Sequence, residues 1–344
     1  MFNFKKLGVA VVVAMSAAAA MASNFRGADQ VYVPAAGHLA GATGTFISDV
    51  YISNLTDDRV TVSVNFVQGL GGGQSTFNNA FTLAPRERRE FVDFVGNQLN
   101  IPSGFGQLIF SGCKENTDCG PATQDIYGFS PNFRNISVES RIYSIPPGTS
   151  LSDNPAPPTN GQLFSGFPWY SFVSQDQAAN GLDKIFITGI RQTGNPPTAG
   201  TYRSNIGFAN ASQFSTTTIV VKLFNGTTGA QVGNEYTQTL SPLGHSQANL
   251  SAMFPGVTGT NFYATVEQRN STPTGDQPDT CKPNGCPAFF AYGSVLDNAT
   301  GDATTLEAQY SKPLSDNQIA CIYNPSNASC KNVQSIRRAA KHIF

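Results

Sequence analysis

The sequence has 344 residues, of which 12% are charged, and a formal charge of −1. Such a balance excludes both a polyanion and the basic field of a nucleic-acid binder. Its 33 glycines beside 25 phenylalanines and 11 tyrosines exclude a disordered chain and suit an all-β exported protein.

The chain opens Met1-Phe2-Asn3-Phe4-Lys5-Lys6, runs apolar from Leu7 to Ala22, and reaches the small-residue stretch Ala20-Met21-Ala22. A short positive region, an apolar core and a small-residue site predict a signal peptide over 1–22. Its removal would take Lys5 and Lys6 and shift the formal charge from −1 to −3. No later stretch approaches the ~20 apolar residues a spanning helix needs, so no transmembrane segment is expected after cleavage.

A first β-sandwich is expected over 28–147. Val31-Tyr32-Val33 reads as a strand stopped by Pro34, and Gly37 to Gly44 as a loop containing His38. Phe46 to Ser53 is the next strand, and Asn54-Leu55-Thr56-Asp57-Asp58 a turn of residues that bond their own backbone. From Arg59 to Phe66 polar and apolar residues alternate strictly, which places Val60, Val62, Val64 and Phe66 on the core face. Gly69 to Gly73 forms a tip; it lacks the lysine and following helix of a phosphate loop. Phe77 to Leu83 is a strand. The charge run Arg86 to Glu90 reads as a solvated edge. Phe91, Phe94, Val95 and Leu99 have the spacing of a short helical crossover. Phe105 to Phe110 and Ile136 to Ile145 complete the module.

Residues 148–165 read as a linker, rich in Pro, Gly, Ser, Asn and Asp at its start. Phe164, Phe167, Trp169, Tyr170 and Phe172 follow closely. Clusters of this kind more often pack between domains than face solvent. If the chain has an aromatic binding face, Phe167, Trp169 and Tyr170 would carry it by stacking on a sugar or partner.

A second β-sandwich, 166–312, repeats the landmarks of the first in the same order. Gly200-Thr201-Tyr202-Arg203-Ser204-Asn205-Ile206-Gly207-Phe208-Ala209-Asn210 echoes Gly44-Thr45-Phe46-Ile47-Ser48-Asp49-Val50-Tyr51-Ile52-Ser53-Asn54. Ile185-Phe186-Ile187 matches Val31-Tyr32-Val33, and Ile219 to Phe224 matches Val60 to Phe66. Leu250, Met253 and Phe254 match the crossover, Phe262 to Val266 matches Phe105 to Phe110, and Phe289 to Leu296 matches Val138 to Ile145. Asp297 to Asp302 is read as a turn, because it lacks the spacing and closing glutamate of a calcium loop. A tail over 313–344 ends in basic residues.

The six cysteines fall into local pairs: Cys113 with Cys119, Cys281 with Cys286, and Cys321 with Cys330. Export permits oxidation, so three disulfide-closed loops are expected; no histidine lies near the pairs to favour zinc. His38, His245 and His342 are nowhere at metal-ligand spacing. Neither Gly-x-Ser-x-Gly nor His-Glu-x-x-His occurs. Asn54, Asn210 and Asn298 begin Asn-x-Ser/Thr triplets, which matter only in a eukaryotic secretory pathway.

Thr188-Gly189-Ile190-Arg191, Tyr202 to Asn210 and Ala291 to Asp302 resemble a repeat of uncharacterised exported bacterial proteins. Val33-Pro34-Ala35-Ala36 and Ser48 to Asn54 resemble its companion. The resemblance implies tandem immunoglobulin-like β-sandwiches outside the cytoplasm and brings no established activity or functional residues. The sequence reading is thus a secreted, periplasmic or cell-surface protein of non-catalytic binding or structural role. No cofactor, metal or nucleic acid is expected, and the partner would be an extracellular protein or polysaccharide. The competing reading is an exported hydrolase or carbohydrate-active protein with an unfamiliar site, for which a polar triad in a folded cleft would speak.

Overall fold

The computed structural model describes residues 27–41, 44–69, 75–120, 123, 130–146, 161–174, 183–194, 198–212, 215–273 and 288–310. The expected leader at 1–22, most of the expected linker, the Cys281/Cys286 and Cys321/Cys330 pairs and the tail at 313–344 lie outside these residues.

Alternation builds the strands. In β3 (Val60–Gln68), Val60, Val62, Val64 and Phe66 are fully buried while Thr61, Ser63 and Asn65 are partly exposed, the half-buried pattern of period two. Eight further strands share the first half: β1 (Gln30–Ala40), β2 (Thr45–Asn54), β4 (Ser75–Leu83), β5 (Arg88–Phe91), β6 (Gly104–Lys114), β7 (Ile136–Ile145), β8 (Gly161–Ser165) and β9 (Phe167–Pro168). Pairing is antiparallel throughout. One layer runs β4-β3-β6-β1-β9 and the other β5-β2-β7-β8; the last residues of β1, Leu39 and Ala40, cross over to pair with β2.

The second half holds β10 (Lys184–Gln192), β11 (Tyr202–Asn210), β12 (Ser215–Asn225), β13 (Tyr236–Leu240), β14 (His245–Asn249), a one-turn helix α1 (Leu250–Met253), β15 (Gly259–Pro273), β16 (Phe289–Asp297), β17 (Ala303–Leu306) and β18 (Gln309–Tyr310). Its layers are β13-β12-β15-β10-β18 and β14-β11-β16-β17. Each strand occupies the place of the strand nine before it. The crossover after β5 is a π-type turn, Phe94–Gln98, capped by Asp93; its counterpart α1 is capped by Asn249. The chain is therefore all-β and built of antiparallel layers. Lettered A to G, the first seven strands divide D-C-F-A from E-B-G, whereas an immunoglobulin constant domain divides A-B-E-D from C-F-G.

Three expectations need correction. Pro34 does not stop β1, which runs on through Gly37 and His38 to Ala40; the register against β6 shifts between Val33 and Ala36, so Pro34 sits where the ladder is interrupted and its missing N–H costs nothing. The linker is shorter than 148–165, because Gly161–Ser165 pairs with β7. The second module does not start at 166, because Phe167 and Pro168 pair with Tyr32 and Val31 of β1. The charge run behaves as expected: β5 pairs with β2 alone and lies at the edge of its layer.

Cys113, at the end of β6, is bonded to Cys119, the first of the three expected local loops. Beside it Arg134 and Lys114 both pair with Asp58, which ties the loop to the turn after β2. Among the described residues no helix is long and apolar enough to cross a membrane.

Candidate functional site

The aromatic cluster lies inside the protein. Trp169 is fully buried and Phe167 and Tyr170 are nearly so. The Trp169 indole N–H donates to Asp29 Oδ1 at 2.7 Å, and the Tyr170 hydroxyl to the Gly27 carbonyl at 3.4 Å. Phe167 and Phe172 both stack on Phe290 of β16, at 4.9 and 5.4 Å, and Phe172 meets Tyr32 of β1 edge-on at 4.6 Å. A binding role for Phe167, Trp169 and Tyr170 required exposed rings; these rings are core, and the packing role is the one the geometry fits.

Around this core the two halves meet along a seam. Phe164 packs edge-on against Tyr292 at 5.3 Å, and Phe105 lies tilted against His245 at 5.7 Å. Gln107 Nε2 donates to the Leu243 carbonyl at 2.8 Å, Ser165 Oγ to Glu307 Oε1 at 3.3 Å, and Thr305 Oγ1 to the Leu163 carbonyl. The Tyr292 ring needs Gly207 beneath it: a Cβ there would lie 2.1 Å from a ring carbon. One contiguous set of buried apolar side chains extends from Ala28 to Ala308.

The organising motif is used for structure in both halves. Asn54 Nδ2 donates to the carbonyls of Asp58 and Ala84, at 2.7 and 2.8 Å, and Oδ1 accepts the Thr56 N–H at 2.9 Å. Asn210 repeats the arrangement with Ser215 and Ser241, at 2.6 and 2.9 Å, and the Ser212 N–H at 2.9 Å. Each asparagine latches the turn after its strand to the connection before β5 or β14. Ser48 and Ser204 match too, accepting the main-chain N–H of Gly37 and Arg191. Both asparagines are almost fully buried with their amide nitrogens engaged, which closes them to glycosylation as folded.

The first half carries a largely buried ionisable constellation. His38 Nδ1 lies 3.0 and 2.8 Å from the two oxygens of Asp93. Asp93 has a left-handed backbone, φ 49°, and accepts the Gly96 N–H in capping its turn. Its own N–H donates to Asp49 Oδ1 at 3.0 Å, and Tyr143 O–H donates to the same oxygen at 3.1 Å. Arg141 stacks 4.6 Å from the Tyr143 ring centroid. Burial raises the Asp49 carboxyl above its ordinary range; burial, followed by the Asp49 charge, raises the Tyr143 phenol. The His38 side chain is 26% exposed and that of Asp93 only 4%.

The same framework in the second half is neutral. Aligning Asn54 with Asn210 puts Asn205 at Asp49, and the strand pairing puts Ser294 at Arg141 and Leu296 at Tyr143. Counting from Val33 and Ile187 puts Gln192 at His38, and the capping residue is Asn249 rather than Asp93. Neutral side chains satisfy this backbone, so the acids and histidine of the first half are not a requirement of the fold.

With Nδ1 facing a carboxylate, the imidazole is oriented as in a His-Asp pair, and Nε2 is the nitrogen left to exchange a proton. Among the described residues no hydroxyl or thiol is hydrogen-bonded to Nε2, and no group of three His, Cys, Asp or Glu side chains is placed to hold a metal. Sequence reasoning had His38 in a loop and did not single out Asp49, Asp93 or Tyr143. The available signal was the Asp49/Asn205 difference within the repeated motif.

No family model matches the sequence, and no curated protein matches it. Among solved structures, Thermotoga maritima 1070 is similar over 42% of this chain and 97% of its own, at 8% identity and TM-score 0.28. A Bacteroides uniformis β-glucuronidase 2 is similar over 77% of this chain and 24% of its own, at 7% identity and TM-score 0.14. Red sea bream transglutaminase is similar over 83% and 31%, at 8% identity and TM-score 0.14. These likenesses are too distant to bear on activity.

Proposed function

We propose that this chain is an exported, non-catalytic binding or structural protein made of two tandem β-sandwich modules related by duplication. The leader at 1–22 supports export to the envelope, the cell surface or the medium. Nine strands in the same layer order, with the Asn54/Asn210 and Ser48/Ser204 bonds repeated, support the duplication. The likeness to immunoglobulin domains is then one of two-layer packing rather than of strand order.

The observation that carries the reading is an apolar core that passes through both modules. It holds the two sets of surface loops in one fixed relation, which suits a scaffold that presents loops to an extracellular protein or polysaccharide. The test is a pull-down of the mature protein against envelope fractions and purified polysaccharides, with product analysis on the same samples. Retention of a component without turnover is expected. Turnover of a polysaccharide, peptide or ester overturns the reading.

One observation favours the second reading, an exported hydrolase: the carboxylate-oriented imidazole of His38. In that case turnover would be lost in His38→Gln, which installs the residue of the second module. Turnover unchanged by that substitution would remove the dyad from consideration.

A further inference from the structure

We propose that the seam between the two modules is an acid-opened joint, with His245 as its proton-sensitive element. His245 begins β14 and is 1% exposed. Its ring lies 5.7 Å from that of Phe105 of the first module, tilted to it, and runs parallel to the Tyr292 ring at 6.1 Å. Tyr292 O–H donates to Gln247 Oε1 at 2.9 Å, so in its link to the same phenol oxygen, also 2.9 Å, His245 Nε2 is the donor. The neutral ring then carries a bare lone pair on Nδ1, which is buried and has no partner.

A second bare acceptor lies in the same seam. Gln107 of β6 donates through Nε2 to Leu243, two residues before His245, while its buried Oε1 is unpartnered. The first module thus reaches the β14 approach through one amide bond beside the histidine ring.

Nothing here compensates a positive charge. Of the elements packed on His245, β16 brings the Tyr292 phenol, β6 brings Phe105, and β11 pairs through Ala209. Among these contacts there is no carboxylate and no second cation. Burial alone lowers the imidazole from 6.5 to about 4. A hydrated, opened seam would therefore take up the proton about 300-fold more readily than the closed one. The matching position in the first module, opposite Ser53 as His245 is opposite Ala209, is Arg88, exposed and resting over Tyr51. A charge at this position is accommodated when solvent reaches it; in the second module the seam covers it.

The change expected is separation of β6 from the β14 approach, with loss of the Gln107–Leu243 bond, while both sandwiches persist. Small-angle scattering and far-ultraviolet circular dichroism of the mature chain from pH 7.5 to 3 test this. Emission of Trp169, the single tryptophan, serves as a third probe. For the wild type the radius of gyration should rise and the emission move to the red as the pH falls from about 6.5 to about 4, with the strand signal retained. His245→Gln, which stays neutral, should keep its radius through that interval. Proton resonances of the His245 ring in the wild type give a measurement that needs no variant; they should titrate over the interval in which the radius grows. The proposal is overturned if His245→Gln expands like the wild type, or if the wild type keeps its radius to pH 3. It is equally overturned if strand signal is lost together with expansion, or if the ring titrates in its ordinary range with the seam closed.

Discussion

Removing the latch asparagine of the second module should cost a large share of the stability of the protein. Asn210 is fully buried and makes three hydrogen bonds to main-chain groups of two separate connections, at 2.6, 2.9 and 2.9 Å. In Asn210→Ala all three are lost, and water cannot reach the carbonyls and N–H left behind. A net loss of about 1 kcal/mol per bond, rising to 1–3 where a buried group is stranded, gives a cost of about 3 kcal/mol or more. Whole domains are stable by only about 5–15 kcal/mol, so the effect is easily measured. Urea unfolding followed by circular dichroism should show a lower midpoint at an unchanged slope. Asn54→Ala should cost about as much, since its amide spans the equivalent connections at 2.7, 2.8 and 2.9 Å. A loss below about 1 kcal/mol in both variants would refute the reasoning that these repeated residues are latches.

Trp169→Ala should destabilise by about 3–5 kcal/mol in the same assay, because it empties a core position and takes the indole donor from Asp29. Cys113→Ser with Cys119→Ser should cost about 2 kcal/mol, the loop entropy of a bridge with a sequence separation of 6; thermal melting of the double variant checks it. Asp49→Asn, which installs the residue of the second module, should raise the melting temperature at neutral pH. The folded state raises the Asp49 carboxyl through burial and so holds its proton more tightly than the unfolded chain; its ionisation costs stability as pH rises through the folded value. The gain should accordingly shrink toward zero as pH falls below the ordinary carboxylate range.

Strands announced themselves wherever one face is buried, because alternation in β3 or the matched runs of β2 and β11 is a direct print of the pleat. Punctuation misled where tertiary pairing overrides it. Pro34 read as a stop, yet an interrupted ladder accommodates it and β1 continues to Ala40. Gly161–Ser165 read as linker because five residues of mixed polarity carry no clear period; β7 supplies the partner that makes them a strand. The aromatic cluster was legible as a junction, and the packing reading preferred for it agrees with its burial.

The His38 constellation was hidden for a different reason. His38 and Asp93 are 55 residues apart and meet only through the folded layers of β1, β2 and the crossover turn. No spacing rule reaches that far. Only comparison of the two halves, acid and histidine in one and neutral residues in the other, would have marked those positions in the sequence.

The central claim is that the two modules form one cooperative body, and scanning calorimetry of the mature chain at neutral pH tests it most directly. A core continuous from Ala28 to Ala308 predicts a single transition whose calorimetric and van't Hoff enthalpies agree. Two resolved transitions, or a calorimetric enthalpy near twice the van't Hoff value, would show that the modules unfold separately and contradict the account.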